Sequence, residues 1–294
     1  MIKNGGNPML DLHVHITTKI IRKTDFINKL EVIGAGEAVL LSLPPGSFFN
    51  AKGKDPFHER LNNVLKWCDG VKSLHPFFWI DPLADDAANQ VDTACGKGIA
   101  GFKVICDRFY PSDDKAMKIF KLIARRAKPI LFHSGILWDG KVSSKYNHPM
   151  EFECLLELPK LRFALAHVSW PWCDELLAVY GKFLNALSLK PEDSPEMFID
   201  TTPGTPAIYR EETLKKLYTI GYDIQNNIVF GSDSNAAEYN LKWVREWYCR
   251  DRKILRKLKL NDAAIEKYFS GNAKRFLGTD RSVLNKKCPV PGAN

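Results

Sequence analysis

Met9–His15 reads MLDLHVH, a short apolar run that ends in polar residues, and the recurrence of this pattern along the chain decides the fold. Seven further runs share its character: each is short, rich in β-branched or aromatic residues, and ends near a polar side chain. They are 37–43 (EAVLLSL), 75–81 (HPFFWID), 99–105 (IAGFKVI), 129–134 (PILFHS), 162–168 (RFALAHV), 197–202 (MFIDTT) and 227–233 (NIVFGSD). This composition predicts eight buried β-strands.

Segments with helical periodicity lie between these runs, for example 113–128 and 174–187. Strands that alternate with helices pair in parallel through right-handed crossovers, and eight such units in 294 residues favour a closed barrel over an open sheet. No GxGxxG follows the first run, which argues against a dinucleotide-binding fold. We therefore expect one α/β domain over 1–294, a (β/α)₈ TIM barrel with a C-terminal helical extension at about 236–294.

The residues that end the predicted strands carry the chemistry, because parallel barrels place reactive groups at the C-terminal ends of their strands. His13 and His15 end the first strand, where alternation points both imidazoles to the same side. His133, His167 and Asp233 end the fifth, sixth and eighth. Each residue alone has a structural alternative, such as a histidine bonded to backbone or an aspartate in a turn. Together, imidazoles and a carboxylate predict a catalytic site for a zinc-like cation.

Several stretches, in this order along nearly the whole chain, resemble the amidohydrolase superfamily. The resemblance is specifically to the amidohydrolase 2 family of TIM-barrel metal-dependent hydrolases and decarboxylases. The matching stretches are DLHVH, WIDP (79–82), GFKVI (101–105), FHSG (132–135), LAHVSWPWCDELL (165–177), FIDTT (198–202), FGSDSN (230–235) and SGNAKRFLG (270–278).

This resemblance implies a ligand set and roles. One divalent metal, usually zinc with manganese as the alternative, is expected among His13, His15, His133 and Asp233, with water in an open position. Asp233 also serves as general base, and His167 binds the substrate oxygen or supplies an acid. These roles are chemically reasonable, since a divalent cation lowers the pKa of bound water and polarises a carbonyl.

Lys103, within the fourth predicted strand, leaves alternatives open. Binuclear members of the superfamily carry a carbamylated lysine there that bridges two metals, and His167 is then a ligand too. The amidohydrolase 2 families are mostly mononuclear, so we expect one metal, with Lys103 binding substrate or serving the structure. Two metals, or a site that works without metal, are the alternatives. If Lys103 points inward it needs carbamylation, a carboxylate partner or an anionic substrate.

Four further residues are candidates for substrate binding because they follow strands four, five and six at the expected functional end. The loop 135–149 is long for a βα connection, and long barrel loops commonly cover the site. Packing on the barrel rim is the alternative for each. The candidates are Arg108, Trp138, Tyr146 and Trp170.

These observations predict a hydrolase that acts through metal-activated water on a C–O or C–N bond. The substrate would be a small carboxylate-bearing lactone, ester or amide. Non-oxidative decarboxylation of an aromatic or enol-type acid uses the same ligands and is the first alternative. A non-catalytic binding protein on a barrel scaffold, using a basic face, is the second.

Charge, cysteine content and apolar stretches indicate which kinds of partner and which cellular compartment to expect. The net charge of +8 is concentrated in runs such as 250–259 (RDRKILRKLK), which we interpret as a solvated helix face rather than a nucleic-acid contact. The seven cysteines are scattered without CxxC spacing, which argues against a disulfide framework or a thiolate zinc site and fits a reducing compartment. No apolar stretch is long enough for a leader or a membrane span. We expect a cytoplasmic protein with a small-molecule substrate and no nucleic-acid or membrane partner, and the family resemblance implies that a homo-oligomer, a dimer or a tetramer, is possible.

Overall fold

Parallel strands form the centre of the molecule in a computed structural model that describes residues 8–18, 23–48 and 56–279. From the first strand to the eighth, neighbours along the chain pair in parallel, and the short ninth strand pairs in parallel with the first, as a barrel requires. The strands are β1 (Met9–His15), β2 (Ala35–Leu41), β3 (Leu74–Trp79), β4 (Gly101–Val104), β5 (Ile130–Phe132), β6 (Arg162–Leu165), β7 (Glu196–Asp200), β8 (Ile228–Val229) and β9 (Ser234–Asn235). The predicted (β/α)₈ TIM barrel is confirmed.

The predicted eighth strand, 227–233, is split into two short pieces. β8 pairs with β7, where Val229 lies opposite Asp200, and β9 pairs with β1, where Ser234 lies opposite Val14. Between them, the Leu12 amide donates a hydrogen bond to the Phe230 carbonyl at 3.1 Å. The segment therefore passes from β7 to β1 and closes the ring.

Helices cover the outside of the barrel. They are α1 (Lys23–Ile33), α2 (Pro56–Cys68), α3 (Ala87–Gly96), α4 (Asp114–Arg125), α5 (Cys173–Leu189), α6 (Arg210–Thr219), α7 (Leu241–Lys257), α8 (Asp262–Glu266) and α9 (Asn272–Leu277). The start of α4 follows from its sequence, because the Asp113 carboxylate accepts hydrogen bonds from the amides of Lys115 and Ala116. The β5–β6 connection instead holds two 3₁₀ helices, Ser144–Asn147 and Pro149–Glu157.

The predicted C-terminal extension is helical as far as the structure describes it, through α7, α8, the π-helical turn Lys267–Gly271 and α9. Residues 280–294, including Cys288, lie outside the described residues. Within the described ranges the cysteines are free, and no helix has the length and apolar character needed to cross a bilayer.

The buried core has two layers. Residues that face into the barrel, such as Leu10, Leu12 and Leu131, form an inner cluster that Phe276 of α9 joins from the N-terminal end of the strands. Alternate strand residues, such as Phe102 and Val104, pack outward against the helices. Lys103 lies between these two outward residues, so its side chain points inward, toward the C-terminal end of the barrel.

Candidate active site

A cavity of about 370 Å³ opens at the C-terminal ends of the strands, and we call it the central cavity. Its volume suits a small organic molecule. The residues that end the strands supply its polar lining, and loops after β5, β6 and β7 supply much of its apolar lining. The lining residues are His13, His15, Lys103, Ile105, His133, Ile136, Leu137, Trp138, Asp139, His167, Trp170, Pro203, Gly204 and Asp233.

Three of the predicted metal ligands form a tight cluster. The Oδ1 atom of Asp233 lies 3.2 Å from Nε2 of His15 and 3.6 Å from Nε2 of His13. One potential ligand atom from each residue lies within 4.8 Å of the other two. Two imidazoles and a carboxylate that converge in this way fit a divalent cation.

Asp200, at the end of β7, determines which nitrogen of His13 is available. The ring Nδ1 donates a hydrogen bond to the Asp200 carboxylate at 3.0 Å, so Nε2 keeps its lone pair on the side of Asp233. Burial and the nearby Lys103 ammonium lower the pKa of His13 to about 4, so its ring is neutral at neutral pH. Burial opposes the charge on Asp200, but the His13 hydrogen bond holds the pKa of that carboxyl below its usual value.

The two remaining histidines form a neighbouring pair. His133 and His167 have ring centroids 4.8 Å apart, and the His167 ring is 5.4 Å from that of His13. His133 Nε2 donates to the Ile136 carbonyl at 3.2 Å, and His133 is not part of the three-residue cluster. Nδ1 of His167 is buried and has no hydrogen-bond partner among the described residues. Burial lowers the pKa of both rings, which keeps them neutral.

Lys103 reaches the central cavity from β4, and only 1% of its surface is exposed. Its ammonium makes no hydrogen bond within the described part of the chain. Burial lowers the pKa of Lys103 to about 8, although the Asp200 and Asp233 carboxylates act in the opposite direction. A buried amine without a hydrogen-bonding partner suits an anionic group of a ligand.

Unusual backbone conformations bring His167 and Asp233 to the cavity. His167, Val168 and Ser169 have φ of 61°, 49° and 50°, and Asp233 has φ of 55°. The left-handed region is strained for a β-branched residue such as Val168, and strain of this kind concentrates at functional sites. Gly204 packs against the His167 ring, where a Cβ would lie 2.8 Å from the His167 Cβ.

The four candidate substrate-binding residues divide into two pairs. Trp138 and Trp170 line the central cavity, as the sequence predicts for a substrate contact. Arg108 and Tyr146 are not among its lining residues. The Arg108 guanidinium pairs with Asp81 and, at 3.0 Å, with Asp107, while the Tyr146 ring packs on Tyr110. For all four residues a substrate contact stays a prediction.

Comparisons with known proteins show the family to which the chain belongs. The amidohydrolase 2 family model, described as Amidohydrolase, matches residues 48–279, which is more than half of the chain. The chain belongs to the amidohydrolase family. It is an enzyme of the amidohydrolase type, so the alternative of a non-catalytic binding protein is set aside. Members of the family typically bind metals.

Solved structures share the fold at low sequence identity. A probable 2-pyrone-4,6-dicarboxylic acid hydrolase from Acinetobacter baumannii is 14% identical over 92% of this chain and 99% of that chain, with a TM-score of 0.57. An amidohydrolase from Burkholderia multivorans is 12% identical over 92% and 99%, with a TM-score of 0.59. Dihydroorotase from Campylobacter jejuni is 17% identical over 93% and 83%, with a TM-score of 0.54. A search of curated protein sequences gives no match.

Sequence reasoning missed a second group of residues that holds the amidohydrolase site in place. Asp11 is fully buried and accepts hydrogen bonds from the Ser232 amide and the Tyr239 hydroxyl, both at 2.8 Å. It thereby ties β1 to the segment that carries Asp233. The signal was present in DLHVH, because an acid within an otherwise apolar strand needs partners when it is buried.

Proposed function

We propose that this amidohydrolase is a metal-dependent hydrolase that cleaves a C–O or C–N bond in a small carboxylate-bearing molecule, such as a lactone, ester or amide. The convergence of His13, His15 and Asp233 beside the buried Lys103 ammonium carries the proposal. The cluster supplies donors for a cation, and Lys103 supplies a positive charge for the carboxylate of the substrate. Both lie in the central cavity, which is large enough for such a molecule.

His13, His15 and Asp233 would hold one divalent metal, zinc or manganese, with His133 as the further ligand that the family resemblance implies. The neutral state of His13 and the hydrogen bond of its Nδ1 to Asp200 fit this role, because a ligating imidazole needs a free lone pair and a fixed tautomer. A bound divalent cation lowers the pKa of water and polarises a carbonyl.

Three side chains of the protein would supply proton transfer, stabilisation of the carbonyl oxygen and substrate binding. Asp233 accepts the proton of the attacking water, since its carboxylate is ionised at neutral pH: burial raises its pKa, but the His15 hydrogen bond and the other nearby imidazoles outweigh that effect. A ring N–H of His167 donates a hydrogen bond to the carbonyl oxygen as it gains negative charge. Lys103 binds the carboxylate and orients the scissile bond.

The first test is the metal content of the purified full chain, measured by plasma mass spectrometry with His15→Ala and Asp233→Ala variants. We expect about one equivalent of zinc or manganese, strongly reduced in both variants. His75→Gln is the matched control, because His75 bonds to Glu37 at the opposite end of the barrel. About two equivalents would instead favour a carbamylated Lys103 that bridges two metals. Absence of metal after reconstitution would overturn the metal-dependent mechanism.

The second test is the reaction itself, assayed on paired lactones, esters and amides that differ only in a carboxylate. We expect solvent ¹⁸O in the product and a preference for the carboxylate-bearing member of each pair. Lys103→Met should remove that preference while the His13, His15 and Asp233 cluster still binds metal. Release of carbon dioxide without incorporation of ¹⁸O would favour the decarboxylase alternative.

A further inference from the structure

Two indole rings stand parallel at the central cavity. Trp138, in the loop after β5, and Trp170, after β6, have ring centroids 6.4 Å apart and planes inclined by 14°. Trp138 is 78% exposed, which is far more than a ring of its size usually is when it serves only packing. Most of the Trp138 indole is therefore open to a ligand.

Backbone hydrogen bonds join the two loops that carry these rings. The Ile136 amide donates to the Trp170 carbonyl at 2.9 Å, so the loop that carries Trp138 is joined directly to the loop that carries Trp170. Gly135, at φ +95°, makes this approach possible, because a Cβ there would collide with the Trp170 carbonyl oxygen. The Leu137 amide also donates to the Ser144 hydroxyl at 3.1 Å. The two loops are therefore joined without the help of a ligand, and they bring the two indoles to the same side of the cavity.

We infer that Trp138 and Trp170 form an aromatic subsite that binds a flat ring of the substrate, whose carboxylate binds to Lys103. The inference rests on the proposed function for the carboxylate, and it narrows the substrate class to planar cyclic acids. Aromatic faces bind flat unsaturated rings by stacking, and they bind puckered saturated rings less well. Neighbouring Ile136 and Leu137 line the same cavity and extend this apolar wall.

The test uses two probe acids of equal charge and similar size, benzoate and cyclohexanecarboxylate, titrated into the full chain by calorimetry. We expect the wild type to bind benzoate about fivefold to tenfold more tightly than its saturated counterpart. Trp138→Ala should bring this ratio close to one. Val142→Ala is the matched control, because Val142 lies in the same loop, is 86% exposed and is not a lining residue. The control should keep the wild-type ratio.

Two further measurements separate this inference from the proposed function. Lys103→Met should weaken the binding of both acids and leave the ratio of their affinities unchanged. If the wild type and Lys103→Met bind the acids equally well, the binding of the carboxylate to Lys103 is overturned, but the aromatic subsite is not. A ratio near one in the wild type, or an unchanged ratio in Trp138→Ala, would overturn the aromatic subsite even if the enzyme hydrolyses esters. If light scattering shows that Trp138→Ala dissociates an oligomer while the ratio persists, the exposed indole is a contact between copies and the inference is wrong.

Discussion

At the scale of single residues, the site depends on which nitrogen of His13 carries the proton. The Asp200 carboxylate accepts from Nδ1 at 3.0 Å and is itself held by the Thr202 amide at 2.7 Å. The hydrogen bond fixes the imidazole tautomer and raises its strength as a ligand. Asp200 is thus a positioning residue that acts through His13.

We predict that Asp200→Asn lowers the affinity for Zn²⁺ by about tenfold to 100-fold, because the amide keeps the shape of the side chain but loses the charge that supports His13. Competition with a chelating dye measures the affinity, and circular dichroism checks the fold. Asp139→Asn is the control, since Asp139 lines the same cavity but bonds to Ser143 and to the Lys141 amide. Equal affinities in wild type and Asp200→Asn would contradict the role of Asp200.

Gly231 leads to a second prediction at this scale. A Cβ at this position would collide with the Thr202 hydroxyl and lie 2.7 Å from the His13 Cβ. We expect Gly231→Ala to destabilise the fold by about 1–3 kcal/mol and to weaken metal binding, because His13 must shift. Urea unfolding and dye competition measure the two effects. Gly96→Ala, where a Cβ meets no atom within 4 Å, should do neither, and a neutral Gly231→Ala would show that the neighbours adapt.

Strand-end residues were predictable from the sequence, but their supporting partners were not. His13, His15, Lys103, His167 and Asp233 end or lie within recognisable strands, and all of them line the central cavity. Asp200 and Asp11 contact groups that lie 187 and 228 positions away along the chain, namely His13 and Tyr239. Such contacts follow from strand order, register and side-chain direction together. An irregular register of β1 between Asp11 and Val14 changes the alternation, so pattern alone does not place Asp11.

At the scale of elements, all eight predicted strands are present, but their ends differ from the prediction. The pattern of apolar residues extends beyond the hydrogen-bonded ladder. The strand predicted at 99–105, for example, covers only Gly101–Val104 in the structure. The eighth strand is interrupted because the segment changes partners from β7 to β1, with Asp233 in a left-handed conformation. No local sequence pattern encodes that change, since it depends on how the ring closes.

The charged run 250–259, most of which lies in helix α7, contains one residue of a buried ion pair. Most charged residues of 250–259 are at least partly exposed, which fits the solvated-face interpretation, but Asp251 is fully buried. It receives two hydrogen bonds from Arg210 of α6, at 2.9 Å and 2.7 Å, and one from the Tyr268 hydroxyl at 2.6 Å. The three groups join α6, α7 and the π-helical turn.

We expect Asp251→Ala to reduce the free energy of unfolding by about 3–5 kcal/mol, because it leaves the Arg210 charge buried without its partner. Arg256, on the same helix as Asp251, pairs with Asp262 of α8 and is 45% exposed, so we expect Arg256→Ala to cost less than about 1 kcal/mol. Urea unfolding of both variants at neutral pH measures the contrast. Similar losses in the two variants would show that burial does not determine the contribution of these pairs.

At the scale of the whole molecule, the C-terminal end of the barrel carries the candidate active site and the N-terminal end carries contacts that stabilise the fold. The imidazoles and carboxylates of the central cavity lie at the C-terminal ends of the strands. At the N-terminal ends, His75 Nε2 donates to Glu37 at 2.8 Å, and Lys274 of α9 pairs with the same carboxylate at 3.0 Å. The His75 bond joins β2 to β3, and the Lys274 pair joins α9 to β2. This division predicts that changes at Glu37 affect stability and leave metal binding intact.

The stability contributed by Glu37 should depend on pH in a defined window. The His75 hydrogen bond lowers the pKa of Glu37 from 4.5 to about 2, against an opposing effect of burial, and Lys274 adds to the lowering. A carboxyl with a lowered pKa in the folded state stabilises it fully above pH 4.5, and this contribution disappears as the pH falls toward 2. We expect Glu37→Gln to cost about 1–3 kcal/mol at pH 7 and progressively less between pH 4.5 and 2. Urea unfolding at several pH values tests this, with Glu246→Gln, exposed on α7, as a control that should follow the wild type. A cost that stays constant down to pH 3 would mean that the shape of Glu37, rather than its charge, stabilises the N-terminal end.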